Sequence, residues 1–179
     1  IGNPPFLGGK RLRGELGDDY AERIYSGFDS GSNFADLCCY WFRLAHDNLK
    51  PDGRSGLVGT NMIRRGYNRR ASLDYIVGNS GYIHNAVSTQ PWSGEAKVHV
   101  SIVNWSKVKP SSCVLDGVEV DDINSTLAST VSTVKAPRLS ANSGVCFVGA
   151  QPTGKGFEVT ENVVTLWAKA DESILTVVR

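Results

Sequence analysis

The sequence predicts an α/β fold built on part of a doubly wound sheet, and three observations carry that expectation. Ile1-Gly2-Asn3-Pro4-Pro5-Phe6 has the pattern of a buried parallel strand running at its C-terminal end into a rigid loop. Between residues 33 and 60 an amphipathic helix, a turn and a short apolar strand follow one another, which is one unit of such a sheet. Residues 82–87 (YIHNAV) and 96–105 (AKVHVSIVNW) are two further strands, joined so tightly that they pair antiparallel.

The composition fits this class. With 179 residues, 41% hydrophobic, and a formal charge of +1, the chain has material for one soluble domain or one and a half. No apolar run approaches the roughly 18 residues that a membrane span needs, and no signal-peptide pattern opens the chain, so a cytoplasmic location is expected. Ile1 stands where a strand is already under way and no methionine precedes it, which suggests an internal piece of a longer polypeptide. The small net charge hides an asymmetry. Residues 1–110 carry a local charge of +4 and residues 111–179 a local charge of −3, so basic character belongs to the first part, where a phosphate backbone would have to lie, although so modest an excess does not by itself indicate nucleic acid.

Taken in order, Leu7-Gly8-Gly9-Lys10-Arg11 is expected to be a flexible basic loop, able to close over a ligand or touch a phosphate, or else a solvated turn. Residues 18–25 form a short helix favoured by Asp18 and Asp19 at its N-terminus. Residues 33–49 form a longer one, with Ser32 or Asn33 as N-cap and a core stripe of Phe34, Leu37, Trp41, Leu44 and Ala45. Tyr40, Trp41 and Phe42 are core material. A Lys50-Pro51-Asp52-Gly53 turn leads to a parallel strand at 55–60 (SGLVGT), which places Thr60 and Asn61 at the same sheet edge as Asn3.

Arg64, Arg65, Arg69 and Arg70, with Tyr67 and Asn68, crowd into the next eight residues before a helix over 70–77 that Gly78 closes as its C′ residue. Arginine forks and a helix N-terminus suit phosphate oxygens, although a solvated arginine-rich turn has the same composition. In the second strand of the pair Val98, Val100 and Ile102 alternate. The turn before it, residues 90–94, carries Trp92, either a pocket-lining residue or a loop anchor. Residues 124–143 are rich in Ser and Thr and are expected to be a linker or surface loop, with short strands at 145–156 and 163–167. Cys38, Cys39, Cys113 and Cys146 have no zinc spacing and are expected to be free thiols, and His46, His84 and His99 form no triad.

The opening loop suggests a chemistry. Pro4 and Pro5 remove two donors and fix two φ angles, so the acceptors around them point in set directions. An exocyclic amine on a nucleobase is a poor nucleophile because its lone pair is delocalised into the ring. The Asn3 side-chain oxygen and the Pro4 carbonyl, aimed at its two hydrogens, would pull the nitrogen toward a tetrahedral shape. Phe6 could stack on a base swung out of a duplex. The alternative is an ordinary turn followed by a core phenylalanine, although such a tetrapeptide arises by chance in roughly one chain of this length in several hundred.

The runs IGNPPFLGGKRL, LGDDYAERI, ADLCCYWFRLAHDNLKPDGRSGLVGTNMIRRGYNRRASLDYIV and PWSGEAKVHVSIVNW together resemble the amino-methyltransferase region of MmeI-like enzymes. These are bacterial type IIL restriction-modification proteins that join nuclease, adenine-N6 DNA methyltransferase and target-recognition domain in one chain. The resemblance covers most of the chain and is strongest from residue 1 to about residue 105. It implies the C-terminal half of a class I, Rossmann-like methyltransferase sheet over 1–109, ending in a reversed hairpin. A linker and the start of a mixed, strand-containing target-recognition domain would follow over 110–179, with FVGAQPTGKGF resembling its opening.

It further implies that Asn3, Pro4, Pro5 and Phe6 are the catalytic motif, with S-adenosylmethionine as methyl donor and Asn3 and Asp36 beside it. The methyl would pass in line to a flipped adenine, without a metal in that step. Double-stranded DNA is the expected partner, contacted by Lys10, Thr60, Asn61, Arg64, Arg65, Asn68, Arg69, Arg70 and Lys155. The other expected partner is the rest of the parent polypeptide, including the first methyltransferase half and a possible nuclease domain. The glycine-rich loop that cradles the cofactor precedes the catalytic motif in this family's order, so the isolated chain is expected neither to bind the cofactor tightly nor to methylate DNA. The rival expectations are a non-enzymatic DNA-binding or specificity module, and an amino-methyltransferase acting on RNA or protein.

Overall fold

The structure, a computed structural model, describes residues 1–28, 34–93, 98–130, 144 and 160–170. The chain divides into two compact units, Ile1–Lys135 and Ala136–Arg179. In the first, a short 3-10 turn (Gly9–Arg11) runs into α1 (Leu12–Leu16), followed by α2 (Asp18–Ser26) and α3 (Leu37–Asp47). Then come β1 (Arg54–Thr60), a 3-10 turn (Asn61–Arg64), α4 (Gly66–Ala71), α5 (Leu73–Gly78), β2 (Tyr82–Pro91), β3 (His99–Ser106), β4 (Cys113–Leu115) and β5 (Val118–Val120). Among the described residues no helix is long and apolar enough to cross a membrane.

The five strands form one mixed sheet in the order β1-β3-β2-β4-β5. β3 lies between β1 and β2 and is antiparallel to both, while β2 pairs parallel with β4, and β4 antiparallel with β5. Gly2 adds a parallel bridge to Leu57 on the free side of β1, so the opening residues run alongside β1 and leave the sheet at the same edge. The α/β class and the antiparallel pairing of residues 82–87 with the following strand thus appear as expected. The first strand of that pair is longer than its apolar run suggests, reaching Pro91 through register shifts after Ile83 and after Val87.

Position in the sheet explains the burial of β3. As an interior strand it buries Ser101, Val103 and Trp105 on one face and Val100 on the other, whereas Ile102 is only half-buried, so burial alternates on the face opposite the one expected. Trp105 stacks on Phe42 of α3, with ring centroids 5.5 Å apart and planes 19° apart, and both side chains are fully buried. That contact seats α3 on the sheet.

Several expectations need correction. α3 begins at Leu37 rather than residue 33; Leu37, Tyr40 and Phe42 are buried as expected, together with Cys38, Cys39 and His46, while Phe34, Trp41 and Leu44 are exposed. Apolar residues stand on more than one side of the segment, Trp41 and Leu44 as well as Phe42, so its period allows more than one buried face. The helix expected over 70–77 is two helices meeting at Ser72, whose Oγ donates to the Asn68 carbonyl at 2.6 Å and whose backbone is non-helical. Gly78 is the last residue of α5, with Asn79 as C-cap, not a C′ residue.

The β4–β5 hairpin was not expected, yet Asp116 and Gly117, with φ of 51° and 83°, make the two-residue turn that an Asp-Gly pair favours. Within the stretch taken for a linker, Leu127 is buried in the core beside Ile123. Residues 163–167 are helical, not a strand, lying inside α6 (Glu161–Ala170) in the second unit. Glu161 in its first turn and Lys169 in its last suit the helix dipole, and Thr165 Oγ1 donates back to the Glu161 carbonyl. The strands expected over 145–156 lie outside the described residues.

Candidate active site

The Asn-Pro-Pro-Phe loop hangs between two anchors. Upstream, the Gly2 N–H donates to the Gly56 carbonyl at 3.0 Å and the Val58 N–H to the Gly2 carbonyl at 3.1 Å. Downstream, the Leu37 N–H donates to the Leu7 carbonyl at 2.8 Å, and the Arg11 N–H to the Gly8 carbonyl at 2.8 Å. Between them Asn3 is exposed, Pro4 is buried, Pro5 is exposed and Phe6 is half-buried, packed against the core. The segment from Leu7 to Arg11, expected to be flexible, is instead tied down. Gly9 is buried so closely against residues 34 and 35 that a Cβ there would stand 2.3 Å from the Phe34 carbonyl oxygen.

Asp36 is the centre of the polar contacts at this edge. One carboxylate oxygen accepts from the Gly9 N–H at 3.3 Å. The other accepts from Thr60 Oγ1 at 3.0 Å and from Asn68 Nδ2 at 2.8 Å. Asn68 Oδ1 in return accepts from the Asp36 N–H at 2.8 Å. The loop after the motif, the end of β1 and the arginine-rich helix α4 therefore meet on one carboxylate.

The expected nucleic-acid residues divide by this geometry. Lys10, Arg65 and Arg70 are exposed, Asn61 is half-buried, and Arg64 is half-buried with its Nε buried and unpartnered among the described residues. Thr60 and the buried Asn68 have their polar atoms on Asp36. Arg69 pairs with Asp74 at 3.1 Å. Lys155 lies outside the described residues. Sequence reasoning passed over an aromatic pair beside these groups: the rings of Phe34 and Tyr67 stand 5.7 Å apart, and the Arg70 guanidinium lies 5.8 Å from the Tyr67 ring centre.

Cys38, Cys39 and Cys113 are buried free thiols, as expected, and Cys146 lies outside the described residues. The hydrogen bond with Cys38, together with burial, pushes the Cys39 thiol well above its ordinary range. His46 is buried with Nε2 3.0 Å from the Asn79 carbonyl, and burial lowers its pKa. It is a core histidine, its ring edge-on to Tyr75 with centroids 6.1 Å apart.

The architecture is that of an α/β protein whose loops gather at the C-terminal edge of its sheet, where such folds bind ligands. Residues 1–116 match the family described as "MmeI, DNA-methyltransferase domain", and the chain belongs to that family. Its fold is similar to the solved structure of the type IIL restriction-modification enzyme MmeI in complex with DNA, with a TM-score of 0.60 and 20% sequence identity. The match covers 96% of this chain and 25% of that one, so the chain spans a quarter of that enzyme's length. None of the curated proteins matches this chain.

Proposed function

We propose that this chain is the amino-gripping part of a DNA adenine-N6 methyltransferase of restriction-modification type. One observation carries the reading: the Asn-Pro-Pro-Phe loop is anchored on both sides while Asn3 stands exposed at the sheet edge. The Asn3 side-chain oxygen and the Pro4 carbonyl accept hydrogen bonds from the two amino hydrogens, which localises the lone pair on nitrogen. Phe6, held from behind by the core, offers a face on which an extruded base stacks. Because the prolines and the two anchors hold the backbone that carries both acceptors, little reorganisation of the loop is needed as the nitrogen becomes tetrahedral.

S-adenosylmethionine, when bound, supplies an electrophilic methyl group. Of the two residues expected to neighbour it, Asn3 is available, whereas both Asp36 oxygens are engaged inside the protein. The cofactor would accordingly be held chiefly by residues of a longer polypeptide. Lys10, Asn61, Arg64, Arg65 and Arg70 would lie along the DNA, the cations on its phosphates. In this reading residues 1–109 complete a class I methyltransferase sheet, and residues 110–179 lead into a target-recognition domain.

The test is chemical. DNA exposed to the full-length polypeptide and S-adenosylmethionine is digested, and N6-methyladenine is sought by mass spectrometry. Asn3→Ala should lower turnover by about a hundredfold or more, the loss seen when one preorganised polar group is removed, with little change in DNA affinity. Absence of N6-methyladenine, or an Asn3→Ala enzyme with unaltered turnover, refutes the proposal.

A further inference from the structure

Asp36 holds the N-cap position of α3, yet its carboxylate makes no capping bond to that helix. Aspartate is favoured at N-caps because its oxygen satisfies the helix's own orphan N–H groups. Here that use is forgone, and the oxygens turn to Gly9, Thr60 and Asn68. We infer that Asp36 is a positioning residue for the Asn-Pro-Pro-Phe loop, its carboxylate fastening the segment that leaves the motif to the end of β1 and to α4.

The two anchors of the loop differ in kind. The upstream one is made of sheet hydrogen bonds between backbone groups and is indifferent to side chains. The downstream one adds a side chain to its backbone bonds: beside the Leu37 N–H to Leu7 carbonyl contact, the Gly9 N–H reaches the Asp36 carboxylate. Pro4 and Pro5 stiffen the span between the anchors, so a displacement of the Gly9 end is passed on to Asn3 and the Pro4 carbonyl. Three donors converge on the carboxylate, and an ionised carboxylate accepts at both oxygens without donating. An asparagine in its place would turn an amino group toward at least one of those donors.

The pairing with Asn68 offers a reciprocal test. Asn68 donates to the Asp36 side chain and accepts from its backbone. In Asp36→Asn the new amino group faces either that of Asn68 or the Gly9 N–H, and in Asn68→Asp two carboxylates face each other. In the double variant, a carboxylate at position 68 accepts from both the backbone and the side-chain amide at position 36, the amide oxygen still accepts from the Gly9 N–H, and the Thr60 hydroxyl turns to accept from the amide, so donors and acceptors match again.

This inference rests on the proposed function for its kinetic readout only. In the full-length polypeptide, Asp36→Asn should lower kcat by about 10- to 100-fold while KM for DNA and for S-adenosylmethionine stays within about threefold, as for a misplacement near one ångström. Hydrogen exchange should quicken in the peptides carrying the Gly9 and Leu37 amides and remain unchanged in β3. The double variant should regain kcat to within about threefold of wild type. A raised KM for S-adenosylmethionine at unchanged kcat would make Asp36 a cofactor contact and overturn the inference. So would unaltered exchange at Gly9, or a double variant no better than the worse single one. Should the wild-type polypeptide methylate no adenine, the proposed function falls while the exchange measurement still decides the role of Asp36.

Discussion

Replacing Gly9 by alanine tests whether the close seat of the post-motif segment sets the Asn-Pro-Pro-Phe loop proposed to be catalytic. An added Cβ would stand 2.3 Å from the Phe34 carbonyl oxygen, 2.5 Å from its carbon and 2.6 Å from the Ala35 carbonyl oxygen. Ordinary contact begins at 3.4 Å, so about one ångström must be found. None of the three atoms belongs to a side chain that could rotate away. The backbone behind them is itself held, because the Asp36 N–H is bonded to Asn68 and the Leu37 N–H to Leu7. The segment carrying Gly9 must therefore lift.

Overpacking of this kind costs about 1–3 kcal/mol, offset in part by roughly 0.4–1 kcal/mol because alanine has fewer unfolded conformations than glycine. A shift near one ångström at the loop should slow methyl transfer by about a hundredfold. Gly9→Ala keeps the N–H that reaches Asp36, so the experiment isolates the steric term. Gly14→Ala is the control: it lies within α1 with nothing within 4 Å of the added Cβ, and should stabilise by about 0.5–1 kcal/mol with no effect on turnover. The assays are the thermal midpoint and single-turnover methylation in the full-length polypeptide. A Gly9→Ala protein that matches wild type in both would refute the argument.

Other outcomes follow from the packing and charges. Phe42→Ala removes a fully buried ring stacked on Trp105 and should cost about 3–5 kcal/mol in denaturant unfolding, with Phe42→Leu well below that. Because burial lowers the pKa of His46 in the fold, the unfolded chain binds the proton more readily. Stability should therefore decline as pH falls through the ordinary histidine value of about 6.5. His46→Gln, whose amide can still donate to the Asn79 carbonyl, should flatten that slope in unfolding curves between about pH 7 and 5; the similarly shifted His84 leaves a remainder. Arg65→Ala, removing an exposed cation, should weaken DNA binding about equally on all sequences and reduce the slope of log affinity against log salt by about 0.9.

How much of this was legible beforehand depends on the range over which each constraint acts. The Asn-Pro-Pro-Phe loop could be read directly, since proline restricts the chain at the position where it stands. α2 was legible through its acidic first turn, and the paired strands through their β-branched runs. The β4–β5 hairpin was also within reach, because Asp116-Gly117 is a local turn signal that was passed over. By contrast, the buried face of α3 could not be chosen from its own residues. Trp41 and Phe42 are equally apolar, and only the location of Trp105 on β3 decides that Phe42 goes inside.

The site shows the same division. By itself the sequence determined the proline-stiffened Asn-Pro-Pro-Phe loop and the basic run after β1, each a matter of residue type and near neighbours, while the strand expected at residues 1 and 2 is a single bridge from Gly2 to Leu57. Tertiary structure alone decided what Asp36 does, since its three donors lie 27, 24 and 32 residues away along the chain. It also decided which residues of the basic run remain exposed, because Asn68 is drawn to Asp36 and Arg69 to Asp74. The physical reason is that a proline acts through the covalent geometry of its own backbone, whereas a carboxylate acts through whichever donors folding brings to it.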